Sequence, residues 1–87
     1  MIIVFHKTFK KKYKKAPSKI RRQFDERLLL FEKNLFNPLL NNHPLTGKRS
    51  GEWSINITGD WRAVYVFDEK KGAVIFIDIG THPDLYE

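Results

Sequence analysis

Apolar and polar positions divide the chain into a short strand, two helices and three further strands. Ile2-Ile3-Val4-Phe5 is an unbroken β-branched and aromatic run, which predicts a strand buried by pairing. Thr8 offers an N-cap oxygen to a first helix ending at Lys15, with Phe9 and Tyr13 one turn apart on its buried side and lysine at most other positions. Pro17 ends that helix and, with Ser18, opens the next. Ile20, Phe24, Leu28, Phe31 and Leu35 then form an apolar stripe of helical period. Asn37-Pro38 breaks it, because the residue before proline avoids the α region.

Residues 37–52 show no sustained periodicity, and long connections of this kind in small domains are often functional, so the loop is a candidate site wall. Beyond it, Trp53, Ile55 and Ile57 alternate with Ser54 and Asn56, which directs the apolar three toward the helices and the polar two away. Thr58-Gly59-Asp60 reads as a turn. Residues 61–67 and 73–79 are apolar on both sides except at Arg62 and Asp78, as central strands are. Asp68-Glu69-Lys70-Lys71-Gly72 joins them as a hairpin loop, and Gly80 stops the last strand. The order β-α-α-β-β-β predicts an α+β fold: an antiparallel four-stranded sheet with an N-terminal helical hairpin packed on one face. The other face is left partly open and carries Asn56, Arg62 and Asp78.

The 87 residues suit one domain, 1–87, and 41% hydrophobic residues with 14% aromatic supply its core without cross-links. The chain has no cysteine, which excludes disulfides, thiolate metal sites and a cysteine nucleophile. Its opening lacks a basic n-region, and no apolar run approaches the roughly 20 residues of a membrane span. A cytoplasmic protein without membrane contact is expected.

Charge adds an asymmetry. Residues 1–36 hold 11 Lys/Arg and 3 Asp/Glu, giving +8, whereas residues 37–87 hold 5 and 7, giving −2, within a net +6. Such a patch attracts phosphate backbones or an acidic protein surface; the plainer alternative is a solvated helix face.

Arg62 and Asp78 need a reason to interrupt apolar strands. Either they form a structural ion pair, or Arg62 presents its planar fork to a phosphate. His6 reads as a surface residue. His43 and His82 each sit in a turn beside proline, which holds the imidazole in place, so the two suit proton transfer as base and acid. His43, Asp60 and His82 match no metal-binding spacing, and the chain shows no phosphate-binding glycine loop or nucleophile elbow.

Residues 43–48 (HPLTGK), 53–62 (WSINITGDWR) and 78–86 (DIGTHPDLY), in this order and spacing, resemble the RelE superfamily of toxins, specifically its YafQ-like branch. The resemblance implies a RelE-like fold and the toxin of a bacterial type II toxin-antitoxin pair, one that inhibits translation by cutting mRNA in the ribosomal A site. It further implies chemistry without a metal or cofactor, in which a 2′-hydroxyl attacks the adjacent phosphate and leaves a 2′,3′-cyclic end. Carried over by position, His43, Asp60 and His82 match acid/base residues of the branch, Tyr86 matches its C-terminal aromatic, and Arg62 matches an arginine used by other RelE-type members. Trp61 follows the aspartate as it does there. Lys10, Lys11, Lys14, Lys15, Arg21, Arg22, Lys48 and Arg49, with Trp61, would grip RNA. The implied partners are the ribosome, mRNA and an acidic, partly disordered antitoxin encoded next door.

Asn56 stands where the branch has another histidine, and Asp78 where it has an arginine that contacts the phosphate. Since an aspartate repels phosphate, either Arg62 takes over that role or nuclease activity is reduced or lost. Two other functions fit the resemblance: a ParE-like toxin that binds gyrase without cutting RNA, and an inactive module that only engages an antitoxin.

Overall fold

The first strand, β1 (Ile2–Phe5), ends where His6 N–H donates to the Phe76 carbonyl at 2.8 Å. His6 therefore keeps extended backbone, and its Nδ1 accepts from Thr8 N–H at 3.1 Å, so His6 caps helix α1 (Lys7–Lys15). Thr8, the residue predicted to cap, lies one step inside. The computed structural model describes residues 1–86. Helix α2 (Ser18–Lys33) follows after Pro17 and stops earlier than the stripe predicts, because Asn34 leaves the helical conformation and its side chain accepts from Phe36 N–H at 3.0 Å. Leu35 still packs on the core, but from the loop.

Five strands, rather than four, make the sheet: β2 (His43–Pro44), β3 (Trp53–Asn56), β4 (Trp61–Asp68) and β5 (Ala73–Thr81) join β1 in the order β1-β5-β4-β3-β2. The added strand is two residues long and contains proline, which cannot donate to a ladder and is confined to edges. No alternation exists over two residues, so its sequence shows no strand pattern. The sheet is also mixed: β1 runs parallel to β5, Ile2 opposite Ala73 through Phe5 opposite Phe76. Parallel neighbours need a long crossover, and here it comprises the two helices together with β2, β3 and β4.

A bulge between Val64 and Tyr65 shifts the β4–β5 register, so Tyr65 faces Phe76 while Val64 faces Asp78. Without it, alternation would turn Phe76 and Asp78 to the same side. With it, Phe76 and Ile79 both join the helix-side core, and Asp78 turns away. That core is a ring cluster, with Phe76 touching Phe5, Phe9, Phe24, Phe31 and Tyr65 at centroid distances of 5.4–5.8 Å. Helix α1 also lies against β5.

The far face is less open than alternation suggests. β5 runs one residue past Gly80, and helix α3 (His82–Tyr86) folds back over the sheet. α3 packs closely over Gly80, where a Cβ would sit in van der Waals contact with Leu85. Tyr86 donates its hydroxyl to the buried Ser54 Oγ at 3.1 Å, covering the polar side of β3.

Candidate functional site

Between α3 and the loop after β2 lies a cavity of about 820 Å³. His43, Lys48, Arg49, Arg62, His82 and Tyr86 line it, with Asn41, Leu45, Thr46 and Gly47 completing the loop wall. The predicted role of residues 37–52 as a wall thus corresponds to residues 41–49. Each polar group arrives on a separate support. Asn42 ties the loop to the core, accepting from the Tyr65 hydroxyl at 2.8 Å and donating to the Leu35 carbonyl at 2.9 Å. The next residue, His43, has its Nδ1 2.7 Å from the Asn41 carbonyl. A carbonyl only accepts, so Nδ1 carries a proton, and in the neutral ring the lone pair is on Nε2.

Among the described residues Arg62 pairs with no carboxylate. Its Nη1 donates to the carbonyls of Thr58, Gly59 and Trp61 at 3.0, 3.0 and 3.2 Å, closing the β3–β4 turn. This holds the guanidinium on the cavity wall, and its Nε and Nη2 take no protein acceptor among the described residues. Of the two alternatives for these strand charges, the Arg62–Asp78 ion pair is therefore not formed. His82 is fixed by its N–H, which donates to the Asp60 carbonyl at 2.9 Å, and by Tyr86, whose ring meets the imidazole edge-on at 4.6 Å.

Asp78, itself mostly buried, instead joins an ionic cluster whose lysine is half exposed. Its Oδ1 accepts from Lys12 Nζ and its Oδ2 from Arg49 Nη2, both at 2.8 Å, and Ile79 N–H adds a third bond at 2.9 Å. Burial pushes the Asp78 carboxyl up, but the bonds from Lys12 and Arg49 outweigh it and hold the group below its ordinary value of 3.8. Its negative charge is thus answered by two cations before any phosphate arrives.

A depressed carboxyl stabilises the fold above its unfolded value, and that contribution disappears as pH falls through the folded value. Asp78→Asn is therefore expected to lower stability at neutral pH and to lose less than the parent between about pH 5 and pH 2. Urea unfolding at several pH values checks this. Parallel curves for parent and variant would show that Asp78 contributes nothing to acid sensitivity.

The remaining predicted residues lie elsewhere. The Asp60 side chain is exposed and does not line the cavity; only its backbone reaches His82. Trp61 packs, partly buried, against the core. Lys10, Lys11, Lys14 and Lys15 line a separate groove of about 470 Å³ with Lys7. Arg21 donates to the carbonyls of Lys14 and Ala16, and Arg22 lies exposed on α2. Asn56 Oδ1 is buried and takes no donor among the described residues. Among the described residues, no three His, Asp or Glu side chains stand together as a metal-ligand set, and no helix is long and apolar enough to cross a membrane.

Comparison with solved structures places the fold. The chain is similar to YafQ from E. coli strain BL21(DE3), with 20% identity, coverage of 98% of this chain and 97% of that one, and a TM-score of 0.81. It is similar to the YoeB/ParE toxin from Agrobacterium tumefaciens, at 21% identity, 94% and 99% coverage and a TM-score of 0.77. The E. coli DinJ-YafQ toxin-antitoxin complex also matches, at 21% identity, 98% and 96% coverage and a TM-score of 0.77. No curated protein matches the sequence significantly. A family model described as the bacterial toxin of type II toxin-antitoxin systems, YafQ, matches residues 1–87. With the fold and the family model in agreement, the chain belongs to the YafQ family of type II toxin-antitoxin toxins.

Proposed function

We propose that this toxin is a ribosome-dependent endoribonuclease that cuts mRNA without a metal ion. The observation that carries the reading is one cavity holding an imidazole with a free Nε2, a second imidazole and an arginine with unpartnered donors. In this mechanism His43 Nε2 takes the proton of a 2′-hydroxyl, whose oxygen attacks the adjacent phosphorus. Arg62 stabilises the charge that develops on the phosphoryl oxygens. His82 protonates the departing 5′-oxygen as the P–O5′ bond breaks, leaving a 2′,3′-cyclic phosphate and a 5′-hydroxyl. Tyr86 packs on His82 and orients it. Asp60 contributes through the backbone carbonyl that anchors His82.

The lysine groove on α1 lies apart from the cavity and suits the phosphate backbone of ribosomal RNA, with Lys48 nearer the cut. Likeness to a toxin-antitoxin complex and the +8 charge of residues 1–36 support an acidic antitoxin as the second partner.

The test is primer extension on a reporter mRNA after induction, with and without translation. Codon-spaced cuts that appear only during translation are expected, bearing 2′,3′-cyclic ends. Growth arrest with SOS induction and intact mRNA would replace this reading with gyrase binding.

A further inference from the structure

Helix α3 carries His82 and Tyr86 yet has only five residues, far too few to be stable alone. Its position depends on tertiary ties. Besides the buried Leu85 and the Tyr86–Ser54 bond, it is held by Arg49, whose Nε donates to the Leu85 carbonyl at 2.8 Å. The same guanidinium donates Nη1 to Glu52 at 2.6 Å and Nη2 to Asp78 at 2.8 Å. All three of its nitrogens are thus engaged by protein acceptors. Its side chain is 24% exposed and that of Asp78 12%, so water competes weakly for these bonds. Asp78 is in turn fixed by Lys12 from α1 and by Ile79 N–H. One fork therefore joins the loop wall, β5 and α3, and a lysine from α1 braces it. Two carboxylates balance the two cations, so Arg49 presents little free charge to an anion.

We infer that Arg49 and Asp78 are a positioning pair that sets the place of α3, and with it His82 and Tyr86, across the cavity from His43. Arg49 acts on the reaction through α3 and does not bind the RNA phosphate, although it lines the cavity. Asp78, which a phosphate-binding role would disfavour, is the acceptor that aims Arg49. The inference rests on the proposed nuclease reading only for what α3 carries; the fixing of α3 is a separate, structural statement.

Two readouts keep the parts distinguishable. Imidazole resonances of His82, shifted by the nearby Tyr86 ring, report the placement of α3 by NMR whether or not the protein cuts RNA. Cleavage of mRNA on programmed ribosomes reports the chemistry. In Arg49→Gln and Asp78→Asn, the His82 resonances are expected to move. Turnover should fall by roughly tenfold to a hundredfold, with KM for programmed ribosomes within about twofold. The double variant should be no worse than the worse single one, because one device is lost in each. Unmoved His82 resonances, or single effects that multiply in the double variant, overturn the pair. So does a raised KM with a flatter salt dependence in Arg49→Gln, which would mark a phosphate ligand. Should Asp78→Asn fail to fold, Arg49→Lys carries the same comparison, because it keeps the charge and loses the fork. An inactive parent whose variants still move His82 would remove the nuclease reading and leave the positioning pair standing.

Discussion

Phe76→Ala is expected to destabilise the protein by about 3–5 kcal/mol, a large share of the roughly 4–13 kcal/mol available to a chain of this length. The side chain is fully buried, and five other aromatic rings lean on it from β1, α1, α2 and β4. Truncation leaves a cavity that none of them can close without abandoning its other partners, because rings repack less readily than aliphatic chains. Phe36, which is 63% exposed, is the control: alanine there should cost under about 0.5 kcal/mol. Urea midpoints with unchanged m-values measure both. A loss below about 1 kcal/mol at Phe76 would show that the cluster relaxes and that the core is held elsewhere.

The path from sequence to this core was readable where the signal is local. The stripe from Ile20 to Phe31 gives α2, and the alternation at 53–57 gives β3, because each element declares its buried face within its own span. Three features were not readable because they depend on distant residues. The parallel seating of β1 is decided by β5, some 70 residues away. β2 exists only as a partner to Trp53 and Ser54, since His43-Pro44 has no strand pattern of its own. The bulge opposite Ile77 reverses the side on which Asp78 emerges, and a count of alternating positions cannot reveal it.

The site follows the same division. His43 and His82 are visible because each precedes a proline, but the expected turns are not what holds them: His43 lies in β2 and His82 opens α3, and the fold brings both to one cavity with Arg62 and Tyr86. Asp60 carries the same family signal, but it meets His82 through its backbone carbonyl while its side chain stays outside the cavity. The partnership of Arg49 and Asp78 left no trace in either segment, because 29 residues separate two side chains that become neighbours only after β5 and the loop are in place. Asp78 read in isolation is a charge that opposes phosphate. Read with Lys12, Arg49 and Glu52, it belongs to a neutral cluster in which its charge is already answered.

Replacing both His43 and His82 with alanine is expected to lower mRNA cleavage by on the order of 10³–10⁴-fold and to abolish growth arrest. Proton transfer by a positioned side chain is worth about 10²–10⁴-fold, and the two steps belong to one displacement, so the combined loss should fall short of the product of the single losses. The two imidazoles are also distinguishable. His43 keeps Nε2 free because Asn41 engages Nδ1, which suits it to accept the 2′-hydroxyl proton. In the proposed mechanism His82, which Tyr86 braces, serves the leaving oxygen. A substrate with sulfur in place of the 5′-bridging oxygen needs no acid, since a thiolate leaves readily on its own. It should restore cleavage to His82→Ala and not to His43→Ala. Rescue of both variants, or of His43→Ala alone, would reverse or erase the assignment. Undiminished growth arrest in the double variant would mean that the toxin acts through a surface other than this cavity.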